Sequence, residues 1–278
     1  MATVRNGPLI GLVVQIVLLA GLAGTVGLGP AGWFAGLAYG LVVCLALVLG
    51  LHRAGATALG PADRVTLARA VLVGAVTGLV ADGFAGRPVP VGLLTVLTAV
   101  ALALDGVDGY VARRTGTASA LGARFDMEID SVLVAVLSLH VAPAVGVWVL
   151  TLGAMRYAFV AAGWALPWLC RPLPARYWRK VTAAALGVVL LVAASRVLPP
   201  VAAVMLLVGA LALQVESFGR DVLWLWRHRS APDPTPVAAP VGHPAMPVAG
   251  APIPGLPVAA ESRPDRPATR RELVAVHD

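Results

Sequence analysis

Five acidic side chains are gathered in one short stretch of a strongly apolar chain. The stretch LDGVDGYVARRTGTASALGARFDMEIDSVL covers residues 104–133, and only four other acidic residues precede position 222. Unpaired carboxylates are costly to bury, so protons or divalent cations must neutralise them. Oxygen-only ligands suit hard cations such as Mg²⁺ or Mn²⁺, and a pair of such ions suits phosphoryl chemistry. The five residues are Asp105, Asp108, Asp126, Glu128 and Asp130.

The spacing of these residues predicts which of them can act together. Asp105 and Asp108 are three residues apart and Asp126 and Asp130 are four apart, so each pair shares a helix face. Glu128 lies two residues from both of its aspartate neighbours and points away from their face. Two helices can therefore bring four aspartates together and leave Glu128 outside.

Small and polar residues beside the aspartates can accommodate a nucleotide. Gly109 and Ala112 follow Asp108 and leave the helix surface bare, so a flat ligand such as a nucleobase can approach the backbone. Arg113 is placed to reach a phosphate, and Ser119 adds a hydroxyl between the two helices.

The elements that must position these residues are membrane helices. The chain of 278 residues is 59% hydrophobic, with a mean hydropathy of +0.85. Its apolar runs approach the roughly 20 residues that cross a bilayer. We predict an all-α integral membrane protein with about eight spans, at approximately 9–29, 32–51, 66–82, 89–111, 122–142, 144–167, 180–197 and 199–218.

The basic residues predict the orientation in the cell membrane. The net charge of +7 rests almost wholly on arginine, and the arginines lie between apolar spans, so we expect no nucleic-acid partner. One set of connections carries nearly all of them, and the other set carries only Arg87 and Arg196. We expect the first set, both termini and the acidic stretch on the cytoplasmic side. From about Ser230 the chain is rich in Pro and Ala, which predicts a disordered spacer or a partner-binding tail.

The acidic stretch resembles the signature of the CDP-alcohol phosphatidyltransferase family. All eight fixed positions match, in the order Asp105-x-x-Asp108-Gly109-x-x-Ala112-Arg113, eight residues, then Gly122-x-x-x-Asp126-x-x-x-Asp130. The segment ADRVTLAR, with Asp63, Thr66 and Arg69, resembles a second family segment, although its proline stands one place early at Pro61.

The resemblance implies a fold, a reaction and roles for residues. The fold would be a six-helix catalytic bundle at 56–222, after two extra transmembrane helices at 1–55 and before a cytoplasmic tail at 223–278. The reaction would move a phosphatidyl-type group from CDP-diacylglycerol to a polar alcohol and release CMP. Two divalent cations, Mg²⁺ or Mn²⁺, would be bound by Asp105, Asp108 and Asp126 and by Asp105, Asp126 and Asp130, with Asp130 also the general base. The CDP-lipid would contact Asp63, Thr66, Asp108, Gly109, Ala112, Arg113, Ser119 and Gly122.

The acceptor alcohol is left open by the sequence. Arg156 lies inside an apolar span, where it either forms a structural ion pair, reaches for the interface, or binds an acceptor phosphate. Arg179 and Lys180 open the next span, as membrane anchors or as acceptor contacts. Ser131 follows the last aspartate where users of phosphorylated acceptors often carry Lys or Arg, which weakens an assignment to glycerol-3-phosphate or inositol phosphate.

Two other functions are alternatives to a transferase. An ion- or proton-coupled transporter would use intramembrane aspartates as relay groups, but it predicts an internal repeat that the sequence does not show. A silent scaffold that keeps the fold predicts a lost signature residue, and none is lost. Membrane lipids and a second copy of the chain, in a homodimer, complete the expected partners.

Overall fold

Every regular element that the structure describes is helical. The computed structural model describes residues 6–55, 59–115, 119–171, 173 and 177–229, all within one compact unit, Met1–Ser230. Two short 3₁₀ helices, Val147–Val149 and Pro167–Cys170, flank the sixth α-helix. The all-α prediction is confirmed. The α-helices are α1 Asn6–Val26, α2 Pro30–Arg53, α3 Pro61–Phe84, α4 Val91–Thr115, α5 Ala120–Val145, α6 Leu150–Ala165, α7 Tyr177–Ala194 and α8 Pro200–Arg227.

Seven of these helices are long and apolar enough to cross a membrane, judged by length and composition. The sixth reaches that length together with the 3₁₀ turn before it. The exception among the described helices is α7, which begins with the polar segment YWRK. Within the described residues, length and composition thus identify seven candidate spans, and the sequence predicts about eight.

Local sequence moves two helix ends away from the predicted ones. The third helix begins at Pro61 instead of about residue 66, because proline suits the first helical position and Asp63 caps the end. The last helix continues to Arg227, through residues 223–227 that the predicted domain boundary assigns to the tail. It continues because the segment LWLW stays apolar and buries Leu225.

The centre of the bundle is α3. It packs against α1, α2, α4 and α5, and it has the largest buried share of all the candidate spans. The fifth helix packs against α3 on one side and against α6 and α7 on the other. A site formed by α3, α4 and α5 is therefore built around the most buried helix of the bundle.

The second helix docks on α3 by close backbone contact. A Cβ atom added at Gly32 of α2 would lie 2.9 Å from the carbonyl oxygen of Gly78 of α3, and the reverse distance is also 2.9 Å. The Asp82 carboxylate near the end of α3 accepts the N–H groups of Gly29 and Gly32, the latter at 2.7 Å. Asp82 thus caps α2 from a neighbouring helix, and small residues permit the contact.

Candidate active site

Three helices bring the candidate residues to one end of the bundle. The N-terminal half of α3, the C-terminal half of α4 and the N-terminal half of α5 meet there, because successive helices reverse direction. The polar side chains at this meeting point are those of Asp63, Thr66, Arg69, Asp105, Asp108, Asp126 and Asp130.

The four predicted aspartates lie together. Asp105, Asp108 and Asp126 each offer a carboxylate oxygen within 4.8 Å of the other two. Asp130 joins them through an arginine that pairs with all four. Asp108 is buried, whereas the side chains of the other three are partly exposed. The cluster is thus anchored in the bundle on one side and open to a ligand on the other.

The cation that organises this cluster is Arg69, for which the segment ADRVTLAR alone indicates no role. Its Nη1 atom lies 2.9 Å from Asp105 and 2.7 Å from Asp108 and also pairs with Asp126, while Nη2 pairs with Asp130. Its side chain is only 1% exposed. The available signal was an arginine inside an apolar span, which requires an anionic partner.

The residues predicted to contact the nucleotide form a second group beside the cluster. Asp63 Oδ2 accepts the Gly60 N–H at 2.9 Å, and Ser119 Oγ accepts the Gly122 N–H at 2.9 Å. A Cβ atom at Gly122 would lie 2.4 Å from Asp63 Oδ1 and 3.0 Å from Ser119 Oγ. Glycine is therefore required where α5 starts against α3.

One hydrogen bond connects this second group to the aspartates. Thr66, one turn along α3 from Asp63, donates its hydroxyl to Asp108 Oδ2 at 3.1 Å. Gly109 follows Asp108 on α4 and is half-buried. The helix continues through Ala112 and Arg113, whose side chains lie outside the described part of the chain.

The predicted acceptor residues lie on α6 and α7. Arg156 pairs with Glu128 of α5, so the structural ion pair considered for it is present. This contact also explains why Glu128 stands apart from the aspartates. Arg179 lies 3.6 Å from Asp221 of α8, and Lys180 is exposed beside it. The structure thus connects Arg156 to the site helix α5 through Glu128.

The cluster fits a hard divalent cation. Its donors are carboxylate oxygens alone, and three of them converge within 4.8 Å. A guanidinium nitrogen, Arg69 Nη1, contacts these same three carboxylates and shows that a cation is accommodated among them. Magnesium and manganese prefer such ligands.

The comparisons with known proteins agree with the geometry. The family model described as CDP-alcohol phosphatidyltransferase matches residues 59–215, which include α3 to α7 and most of α8. No curated protein and no solved structure matches the chain. The matched region contains Asp63, Arg69 and all four aspartates.

Proposed function

Because the chain belongs to the CDP-alcohol phosphatidyltransferase family, we propose that it transfers a phosphatidyl-type group from CDP-diacylglycerol to a polar alcohol and releases CMP. The family as a whole transfers such groups from CDP-alcohols in lipid synthesis and generally uses divalent metal. The observation that carries the proposal is the convergence of Asp105, Asp108 and Asp126 beside the group that contains Asp63 and Gly122.

The proposed metal ligands are the four aspartates. Asp105, Asp108 and Asp126 would hold one Mg²⁺ or Mn²⁺ ion, and Asp105, Asp126 and Asp130 would hold a second. Bound cations of this kind neutralise a diphosphate and stabilise the leaving CMP. The carboxylates themselves fix the position of that charge, because α3 buries Asp108 and ties it to Thr66.

The proposed general base is Asp130. The acceptor oxygen forms a bond to the phosphorus that carries diacylglycerol, the bond from that phosphorus to CMP breaks, and the acceptor proton passes to an Asp130 oxygen. The side chain of Asp130 is 41% exposed, so an incoming hydroxyl can reach it. Its place one turn after Asp126 on α5 directs it to the same cluster.

The proposed CDP site is the face where α3, α4 and α5 meet. Gly122 lies against both Asp63 and Ser119 there, and the Thr66 hydroxyl, one turn along α3 from Asp63, donates to Asp108. Gly109, Ala112 and Arg113 follow Asp108 along α4. We assign the cytidine and its phosphates to these residues.

We propose only the chemical class of the acceptor, a polar alcohol such as glycerol-3-phosphate, inositol phosphate or another compound of this kind. We propose that Arg156, Arg179 and Lys180 contact it. Arg156 supports this assignment best, because Glu128 holds it beside the helix that carries Asp130.

The proposed organisation in the cell follows from the arginine-rich connections. Two extra helices at 1–55 precede a catalytic domain at 56–222 and a tail at 223–278, which we place in the cell membrane with the site and both termini in the cytoplasm, as a homodimer. The match at 59–215 supports the catalytic part of this division. The transporter alternative is not favoured, because the family match at 59–215 includes all four aspartates.

The test is CMP release by the purified protein in liposomes that contain CDP-diacylglycerol. Mg²⁺ or Mn²⁺ is added with one acceptor at a time: glycerol-3-phosphate, inositol-1-phosphate, inositol, serine or phosphatidylglycerol. We expect release that needs both the metal and one acceptor. Release that is indifferent to metal, or failure of folded protein to bind CDP-diacylglycerol, would overturn the proposal.

A further inference from the structure

A single guanidinium holds the carboxylates that the metal ions also need. Arg69 Nη1 contacts Asp105, Asp108 and Asp126, the same three residues whose oxygens converge within 4.8 Å. Nη2 takes Asp130, which would otherwise serve the second ion and the acceptor proton. A nitrogen and a metal ion cannot occupy the same point among three oxygens, so the two cations exclude each other.

The charges at the cluster are unequal. Four ionised aspartates carry four negative charges and Arg69 supplies one positive charge, so the group keeps a net charge of −3 when all four are ionised. Two divalent cations would balance the four carboxylates completely. Arg69 would then be a buried cation without an anion, which is costly in an apolar interior.

The surroundings of Arg69 allow its side chain to change partners. Its Nε atom is buried without a hydrogen-bond partner among the described residues, so only the two Nη atoms hold it. The hydroxyl of Tyr39 of α2 is likewise buried and without a hydrogen-bond partner among the described residues.

We propose that Arg69 is a positioning residue that competes with the divalent cations for the aspartates and is released by them to pair with the diphosphate of the donor. The inference rests on the proposed function, because it takes the donor to be a CDP-linked lipid. Bound metal ions free Arg69 for the diphosphate of the donor, and a bound donor keeps Arg69 away from the aspartates that the metal ions need. Metal and donor therefore strengthen each other's binding.

The test is Mn²⁺ binding by the full-length protein in detergent, measured from the EPR signal of free Mn²⁺ with and without CDP as a soluble probe. We expect Arg69→Gln to bind Mn²⁺ roughly tenfold more tightly than the native protein, because the competitor is gone. CDP should bind roughly tenfold more weakly to the same variant in saturating Mn²⁺. A merely structural role for Arg69 would lower both affinities together.

Two further variants separate the possible results. Arg87→Gln removes an arginine paired with Asp82 away from the aspartates and should change neither affinity. Arg69→Lys retains a cation, but a lysine cannot reach all four carboxylates. We expect it to tighten Mn²⁺ binding by less than Arg69→Gln does. This variant also provides the test if Arg69→Gln does not fold. Unchanged or weaker Mn²⁺ binding in the folded Arg69 variant would overturn this inference alone. Native protein whose Mn²⁺ binding is absent, or survives Asp105→Asn, would instead overturn the proposed metal site.

Discussion

At the residue scale, the candidate site is a set of carboxylates whose proposed roles differ because their surroundings differ. Asp108 is buried and receives Thr66 and Arg69, whereas Asp130 is partly exposed and receives only Arg69 among the described contacts. The buried residue can fix a metal, and the exposed one can meet a substrate hydroxyl. The spacing of the aspartates predicts that they share a site, but it does not predict which of them is buried and which is exposed.

Replacement of the proposed base should separate turnover from binding. Asp130→Asn keeps the shape of the side chain but cannot accept the proton, so we expect CMP release to fall by roughly 10²- to 10⁴-fold. Affinity for CDP-diacylglycerol, measured by titration in detergent, should change little. Glu216→Gln, the same chemical change in a side chain that pairs with Arg220 on α8, serves as the control. Near-normal turnover in Asp130→Asn would remove Asp130 from the role of base.

The contact between α3 and α5 should not tolerate a methyl group. Gly122→Ala places a Cβ atom 2.4 Å from Asp63 Oδ1, so the carboxylate or the start of α5 must move. We expect CDP affinity, measured by calorimetry, to fall about tenfold or more, because displaced contacts cost binding. Gly92→Ala on α4 meets nothing within 4 Å and should leave affinity intact. Equal affinities in the two variants would show that the Asp63 group does not hold the nucleotide.

At the element scale, hydropathy predicts the helices well and their ends and partners poorly. The apolar runs predict eight helices, and each one overlaps an α-helix of the structure, because every helix carries a long apolar segment. The early start of α3 depends on Pro61 and on Asp63, which act over one turn and leave no trace in a hydropathy average. The cap that Asp82 gives to α2 joins residues about fifty positions apart, which no local pattern reveals.

Removal of that cap should loosen the first two helices without altering the site. Asp82→Ala leaves the Gly29 and Gly32 N–H groups without their acceptor, and we expect a loss of about 1–2 kcal/mol in the free energy of unfolding. Thermal unfolding in detergent measures it, and Asp82→Asn, which retains one acceptor oxygen, should lose less. An unchanged midpoint in Asp82→Ala would show that the cap does not stabilise the docking of α2.

At the scale of the whole molecule, the candidate site belongs to one end of a helical bundle with lipid-facing flanks. Many large apolar side chains of α1 and α2 are exposed, as a bilayer requires, whereas Asp108 of the candidate site is buried and its three aspartate neighbours are partly exposed. The sequence predicts the four aspartates and the nucleotide residues because their spacing is fixed. It does not predict that Arg69 joins all four, because that contact depends on how α3 packs between α4 and α5.

We propose that the protein uses this aspartate cluster to transfer a phosphatidyl-type group. The most direct measurement follows label from CDP-diacylglycerol, carried in its diacylglycerol part, into a new lipid in liposomes that contain the protein, Mg²⁺ or Mn²⁺ and the pooled acceptors. We predict one new labelled lipid and an equal amount of CMP, both lost on addition of EDTA and in Asp126→Asn. Label that reaches a new lipid equally well in EDTA or in Asp126→Asn, or that never leaves CDP-diacylglycerol, would contradict the account.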